Sequence, residues 1–151
     1  MSPAIIKKAV GIGNAIAKCG AADQVQLVGH SLGGGLTSAA QGGSRAAATT
    51  FNAAGLNPNT VARYSTLADH VTADPDKILA HHVDGEVVTK TQEGGLTQYF
   101  SYPAPGQRVV TPTPDDALSP EDRHGMNEVI ASMERQKRAD EATLKTCLAD
   151  K

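Results

Sequence analysis

Tryptophan is absent from the sequence, and aromatic residues amount to only 3% of it. A core built around large rings is therefore excluded. Helices and sheet must instead approach closely through abundant alanine and glycine, or a partner must complete the core. Cysteine is scarce too: Cys19 and Cys147 lie near opposite ends, lack metal-type spacing, and allow at most one disulfide. Two reduced thiols are expected. No run approaches the roughly 20 apolar residues that span a bilayer, and the N-terminal "MSPAIIKKAVGIGNAIAKCG" is broken by Lys7, Lys8 and glycines. It reads as an amphipathic segment. With 14 basic and 16 acidic residues, the net charge of -2 gives no electrostatic reason to bind nucleic acid or an anionic membrane. Any lipid contact must come from local apolar surface.

What is present suits one folding unit, residues 1–151, since 151 residues can bury a single core and do not demand a second domain. Ile5, Ala9, Ile12 and Ile16, flanked by Ile6 and Val10, recur at helical spacing and predict a helix over 3–19, ended by Gly20. "QVQLVGH" follows as a short buried strand carrying Val25, Leu27 and Val28. "SLGGGLTSAAQ" then places Leu32, Leu36 and Ala39 or Ala40 on one side of a helix, despite three glycines that each cost about 1 kcal/mol relative to alanine. "AAATTFNAAGL" predicts a second strand, and "NPNTVARYSTLADHV" a helix with Val61, Tyr64 and Leu67 or Ala68 inward. A third strand, "KILAHHVDGEVVT", should end near Asp84 and Gly85, and Arg108 to Thr111 is the best short strand in the proline-punctuated stretch after it. From His124 onward, Met126, Val129, Ile130 and Met133 share one face of a long amphipathic helix. Strands alternating with helices imply an α/β fold, a mostly parallel sheet with helices on both faces.

"GHSLG", Gly29 to Gly33, has the form G-x-S-x-G with a strand before and a helix after. A nucleophile elbow forces its serine into a strained turn and leaves little room two positions to either side, which Gly29 and Gly33 are expected to answer. The backbone N–H of Leu32 would give one donor to a developing oxyanion. The plainer alternative is that Ser31 caps the helix. The costly glycine cluster favours the elbow.

A serine nucleophile needs a histidine to take its proton and a carboxylate to orient that histidine, in this context in the chain order Ser, acid, His. His30 lies inside the elbow and is expected to point away from Ser31, in a packing or loop role. His70, His81 and His82 precede the best acid. His124 alone follows every plausible acid, on a loop before the last helix. Asp84 ends a buried strand at a glycine turn and is the chosen carboxylate, with Glu86 close behind; Asp69, Asp74 and Asp76 sit in more polar, turn-like sequence. Asp84 as a plain turn aspartate is the alternative.

"VQLVGHSLGGGLTSAA", "TTFNAAGL", "HHVDGEVVT" and "RHGMNEVI" together resemble the core and C-terminal half of an α/β-hydrolase lipase. The likeness is to class 3 lipase-like proteins, including bacterial lipases that resemble phospholipase effectors of type VI secretion. It implies a partial α/β-hydrolase fold, Ser31 as nucleophile, Asp84 as acid, His124 as base, and a lipid or phospholipid ester as substrate, without metal or organic cofactor. It further implies a bacterial effector made in the cytoplasm and exported into target cells, with an immunity protein as a possible partner. One departure matters: only residues 1–23 precede "QVQLVGH", whereas the fold has several strands there and takes its second oxyanion donor from that region. Losing one donor costs on the order of a hundredfold to a thousandfold in rate. The chain is thus expected to be a fragment of a longer effector, or one of two assembling chains; a minimal domain with a substitute donor is the third option. The rival from another class is a binding or assembly module with an idle triad, and acyl transfer on peptides, thioesters or small esters remains open.

Overall fold

The computed structural model describes residues 1–66, 72–89, 102–113 and 115–149. Leu67, Ala68, Asp69 and His70 lie outside the described residues. Four strands, β1 (Gln26–His30), β2 (Ala47–Phe51), β3 (Ile78–Val83) and β4 (Gln107–Thr111), form a sheet in the order β1-β2-β3-β4. Every pairing is parallel, so the chain crosses back over the sheet between strands. Helices α1 (Pro3–Lys18), α2 (Leu32–Ser44), α3 (Pro58–Tyr64) and α4 (Met126–Ala149) accompany the sheet in an α/β fold.

Strand register decides which side chains share a face. Leu27, Ala48 and Ile78 stand side by side across β1, β2 and β3, and there they meet Ile6, Val10 and Ala39 of α1 and α2 and Val61 of α3. Burying each of the larger aliphatic side chains contributes roughly 1.5–3 kcal/mol. The alternate set, Phe51, His81 and Val109, lies on the opposite face. α4 crosses that face, where His81 and Val109 line a groove with its Met133 and Leu144. Helices thus cover both faces, as alternating elements predict. β1 has one strand neighbour among the described residues, β2, and its Val28 is 62% exposed.

α1 begins with Pro3, whose missing N–H costs nothing in the first turn. Its buried face is Ile6, Ala9, Val10 and Gly13, while Ile5 and Ile12 are 43% and 61% exposed. The helix is therefore rotated by about one residue from the expected stripe. The cause is the approach of α2: a Cβ on Gly13 would strike the Ala40 carbonyl, and one on Gly43 would come within 2.6 Å of the Val10 oxygen. Only the glycine face of α1 fits so close to α2. α4 departs in the same way, burying Val129 and Ser132 while Met126 and Ile130 stay 37% and 48% exposed. Ser132 Oγ donates to the Pro112 carbonyl at 2.6 Å and Arg135 Nη1 to Thr113 at 2.7 Å, so polar contacts share the docking of this helix with Val129. Cys19 and Cys147 are free and exposed.

Candidate active site

The carboxyl ends of parallel strands are where α/β folds place their chemistry, and Ser31 sits immediately after β1. Its backbone has φ 55° and ψ -123°, a left-handed turn that an L-residue enters at a cost of about 1–3 kcal/mol. Three hydrogen bonds hold it there: Ser31 N–H donates to Phe51 O at 3.0 Å, and Ser31 O accepts from Ala54 N–H at 2.9 Å and Gly35 N–H at 3.3 Å. Although Ser31 stands at the N-cap position of α2, its side chain makes no capping bond. The hydroxyl lies 2.7 Å from His124 Nε2 instead. The capping alternative therefore does not describe this serine.

The two flanking glycines are not equivalent. A Cβ on Gly29 would collide with the Gly33 carbonyl and the Thr37 hydroxyl, whereas one on Gly33 would find open space. The expected steric demand at Gly33 is corrected on this point: Gly33 is exposed at the start of α2. The next residue is the crowded one, since a Cβ on Gly34 would lie 2.6 Å from that of Ala53. Leu32 opens α2 directly after Ser31, its side chain 49% exposed. N–H groups in a first helical turn have no intrahelical acceptor, which leaves the Leu32 amide available beside the hydroxyl.

His124 closes a short 3-10 turn, Asp122–His124, just ahead of α4. Its Nδ1 is 2.7 Å from Glu86 Oε2, completing a relay from Ser31 through His124 to Glu86. An ionised carboxylate only accepts, so the proton of the neutral ring sits on Nδ1 and Nε2 is free to accept from the serine O–H. Glu86 is fully buried. Its Oε2 also accepts from Val88 N–H at 2.9 Å and its Oε1 from Thr89 N–H at 2.5 Å. Burial pushes this carboxyl upward. Hydrogen bonds from the Thr89 side chain, from His124 and from the two backbone N–H groups outweigh it together, so Glu86 titrates below the ordinary glutamate value.

Asp84, the expected acid, is exposed and its carboxylate does not meet His124. Its backbone is committed elsewhere: the N–H donates to Thr111 O at 2.9 Å, and the carbonyl accepts from Arg123 Nη1 at 3.3 Å. The physical reason is the turn. Gly85 takes φ 72°, and Glu86 N–H donates back to Val83 O at 3.2 Å, which folds the residue after the glycine inward. Residues 87–89 are helical, and Glu86 caps the N–H groups of Val88 and Thr89 while that of Val87 donates to Pro120 O at 2.9 Å. A signal was therefore present in "DGEVVT": a carboxylate just ahead of a helical start can cap it and be buried at once.

His30 does not point away from the site. Its Nε2 donates to the His124 carbonyl at 2.7 Å, and the two rings lie 5.1 Å apart with a 39° tilt. His82 is buried and accepts from Arg108 Nε at 2.7 Å, its pKa lowered by burial and then by the Arg108 charge. His81 stacks on Phe51 at 5.4 Å and is lowered by burial. Among the described residues no group of three or more His, Cys, Asp or Glu could hold a metal ion, and no helix is long and apolar enough to cross a membrane.

No curated protein matches the sequence. The family model of the Tle-like phospholipase domain, described as phospholipase-like, matches residues 1–113. That span takes in the elbow and Glu86 and ends before His124. By this match over most of its length, the chain belongs to the Tle-like phospholipase domain family.

Proposed function

We propose that the chain is a serine esterase acting on phospholipid esters. The observation that carries this reading is the relay of 2.7 Å contacts from Ser31 through His124 to buried Glu86, with the serine on a strained turn after a parallel strand. Membership of a phospholipase-like family supports the substrate class. In the first step Ser31 Oγ attacks the ester carbonyl while its proton passes to His124 Nε2, and the carbonyl electron pair moves onto oxygen beside the Leu32 amide. Glu86 stabilises the imidazolium. Collapse of the tetrahedral species expels the alcohol, which takes the proton from His124. Water then attacks the acyl-serine by the same route, releasing the fatty acid and restoring the serine.

Release of fatty acid from phospholipid vesicles by the wild-type chain and by Ser31→Ala tests the reaction. Hydrolysis by wild type and its loss in Ser31→Ala are expected; equal hydrolysis by both would overturn the mechanism. Export as an antibacterial effector is proposed on family resemblance alone.

The second reading, an assembly or binding module, is favoured by the one-sided pairing of β1 among the described residues and by the exposure of Val28. A fluorophosphonate separates the two. The enzyme is labelled at Ser31 and loses labelling in His124→Ala, whereas an idle module is labelled in neither form.

A further inference from the structure

Asn52 follows β2 with φ 43°, a left-handed conformation that asparagine tolerates better than most residues, and it is fully buried. Its side chain is used at both ends. Oδ1 accepts from Val83 N–H at 3.0 Å, and Nδ2 donates to the carbonyls of Arg123 at 3.2 Å and His124 at 3.1 Å. These partners fix the orientation of the amide, because an N–H must face the oxygen and carbonyls must face the NH2 group. Its backbone N–H donates to His81 O at 2.9 Å. One residue therefore ties the end of β2 to the end of β3, which leads to Glu86, and to the loop that carries His124.

The His124 carbonyl receives a second donor, His30 Nε2 at 2.7 Å, from the residue that precedes Ser31. We propose that Asn52 and His30 are positioning residues that clamp the His124 backbone through this carbonyl, and so aim its imidazole at Ser31 and Glu86 simultaneously. The inference rests on the triad reading above. His124 needs such a clamp because a single 3-10 turn carries it, and its ring must meet two partners at 2.7 Å each. Misplacement by about 1 Å costs on the order of a hundredfold in rate.

The test compares Asn52→Asp, His30→Ala and His30→Gln with wild type. Asn52→Asp keeps the acceptor for Val83 and removes the donor; His30→Gln keeps an N–H near the place of Nε2. Two readouts are taken: kcat and KM on a soluble short-chain ester, and the His124 tautomer from 15N-histidine long-range NMR correlations. Asn52→Asp and His30→Ala are expected to lower kcat by about tenfold to a hundredfold with KM changed by less than about threefold. In both, His124 passes from one tautomer, protonated at Nδ1, to a mixture. His30→Gln returns both readouts towards wild type. Unchanged kcat and tautomer in the first two variants, or a His30→Gln variant as impaired as His30→Ala, overturns the clamp. His30 is half-buried at a strand end, so its pair of variants decides the matter even where Asn52→Asp does not fold. If Ser31→Ala shows that the triad reading is wrong, the tautomer readout still judges the clamp by itself.

Discussion

The two faces of the sheet are built to different standards of closeness. On one, α1 and α2 pack through Gly13 and Gly43 over Leu27, Ala48 and Ile78, with no room for an added methyl group. On the other, α4 is pinned by Val129, Ser132 and Arg135, while Leu144 and Leu148 farther along it are 60% and 63% exposed. The site draws one partner from each side: Ser31 comes from the turn into the tightly packed α2, and His124 from the turn into α4. The contrast teaches that the serine is fixed by backbone hydrogen bonds, whereas the histidine is held by side chains reaching from other elements. Glu86 is the one that touches its ring from the far side.

Changes at the junction of the two halves should have the largest effect. His124→Ala is expected to lower kcat/KM by about five to six orders of magnitude, close to the loss from Ser31→Ala, because the two act as a unit. Ester hydrolysis rates check this, and a loss below a hundredfold would break the link between the two faces.

Packing differences come next. Gly13→Ala, which must force α1 from α2, is expected to destabilise by about 1–3 kcal/mol in denaturant unfolding. Gly33→Ala meets open space and should be neutral or stabilising by up to about 1 kcal/mol. Equal losses at both positions would erase the contrast between crowded and open glycines. On the looser side, Leu144→Ser and Leu148→Ser should change stability by no more than about 0.5 kcal/mol.

Acid sharpens the comparison further. Glu86 has its folded pKa lowered from 4.5 and His82 from 6.5, so for each group the unfolded chain binds more protons as the pH drops. The contribution of His82 is present above 6.5 and is lost as the pH falls through its lowered folded value. That of Glu86 is present above 4.5 and is lost in the same manner, farther into acid. Urea midpoints across this range should fall with pH, and Glu86→Gln should flatten the lower part of the curve.

Much of this architecture was legible because it is local. A short apolar run, a serine after glycine and a helix of small residues specify strand, elbow and α2 within "QVQLVGHSLGGGLTSAA". The placement of His124 beside Ser31 was legible from chain order and from its loop ahead of the last helix. The faces of α1 and α4 were not, because Ile5 and Ile12 are as apolar as Ile6, and the choice between them is made by how closely another helix can come. Asp84 and Glu86 are chemically alike in the sequence. What separates them is the positive φ of Gly85, which turns one carboxylate out and the next one in. His30 and Asn52 gave no signal because their partners are backbone atoms 31 to 94 residues away.

The most direct measurement is therefore kcat/KM for Glu86→Gln beside Asp84→Asn on the same ester. If Glu86 orients His124, Glu86→Gln loses about three to four orders of magnitude while Asp84→Asn stays within about threefold of wild type. A large loss in Asp84→Asn with Glu86→Gln near wild type would contradict the assignment.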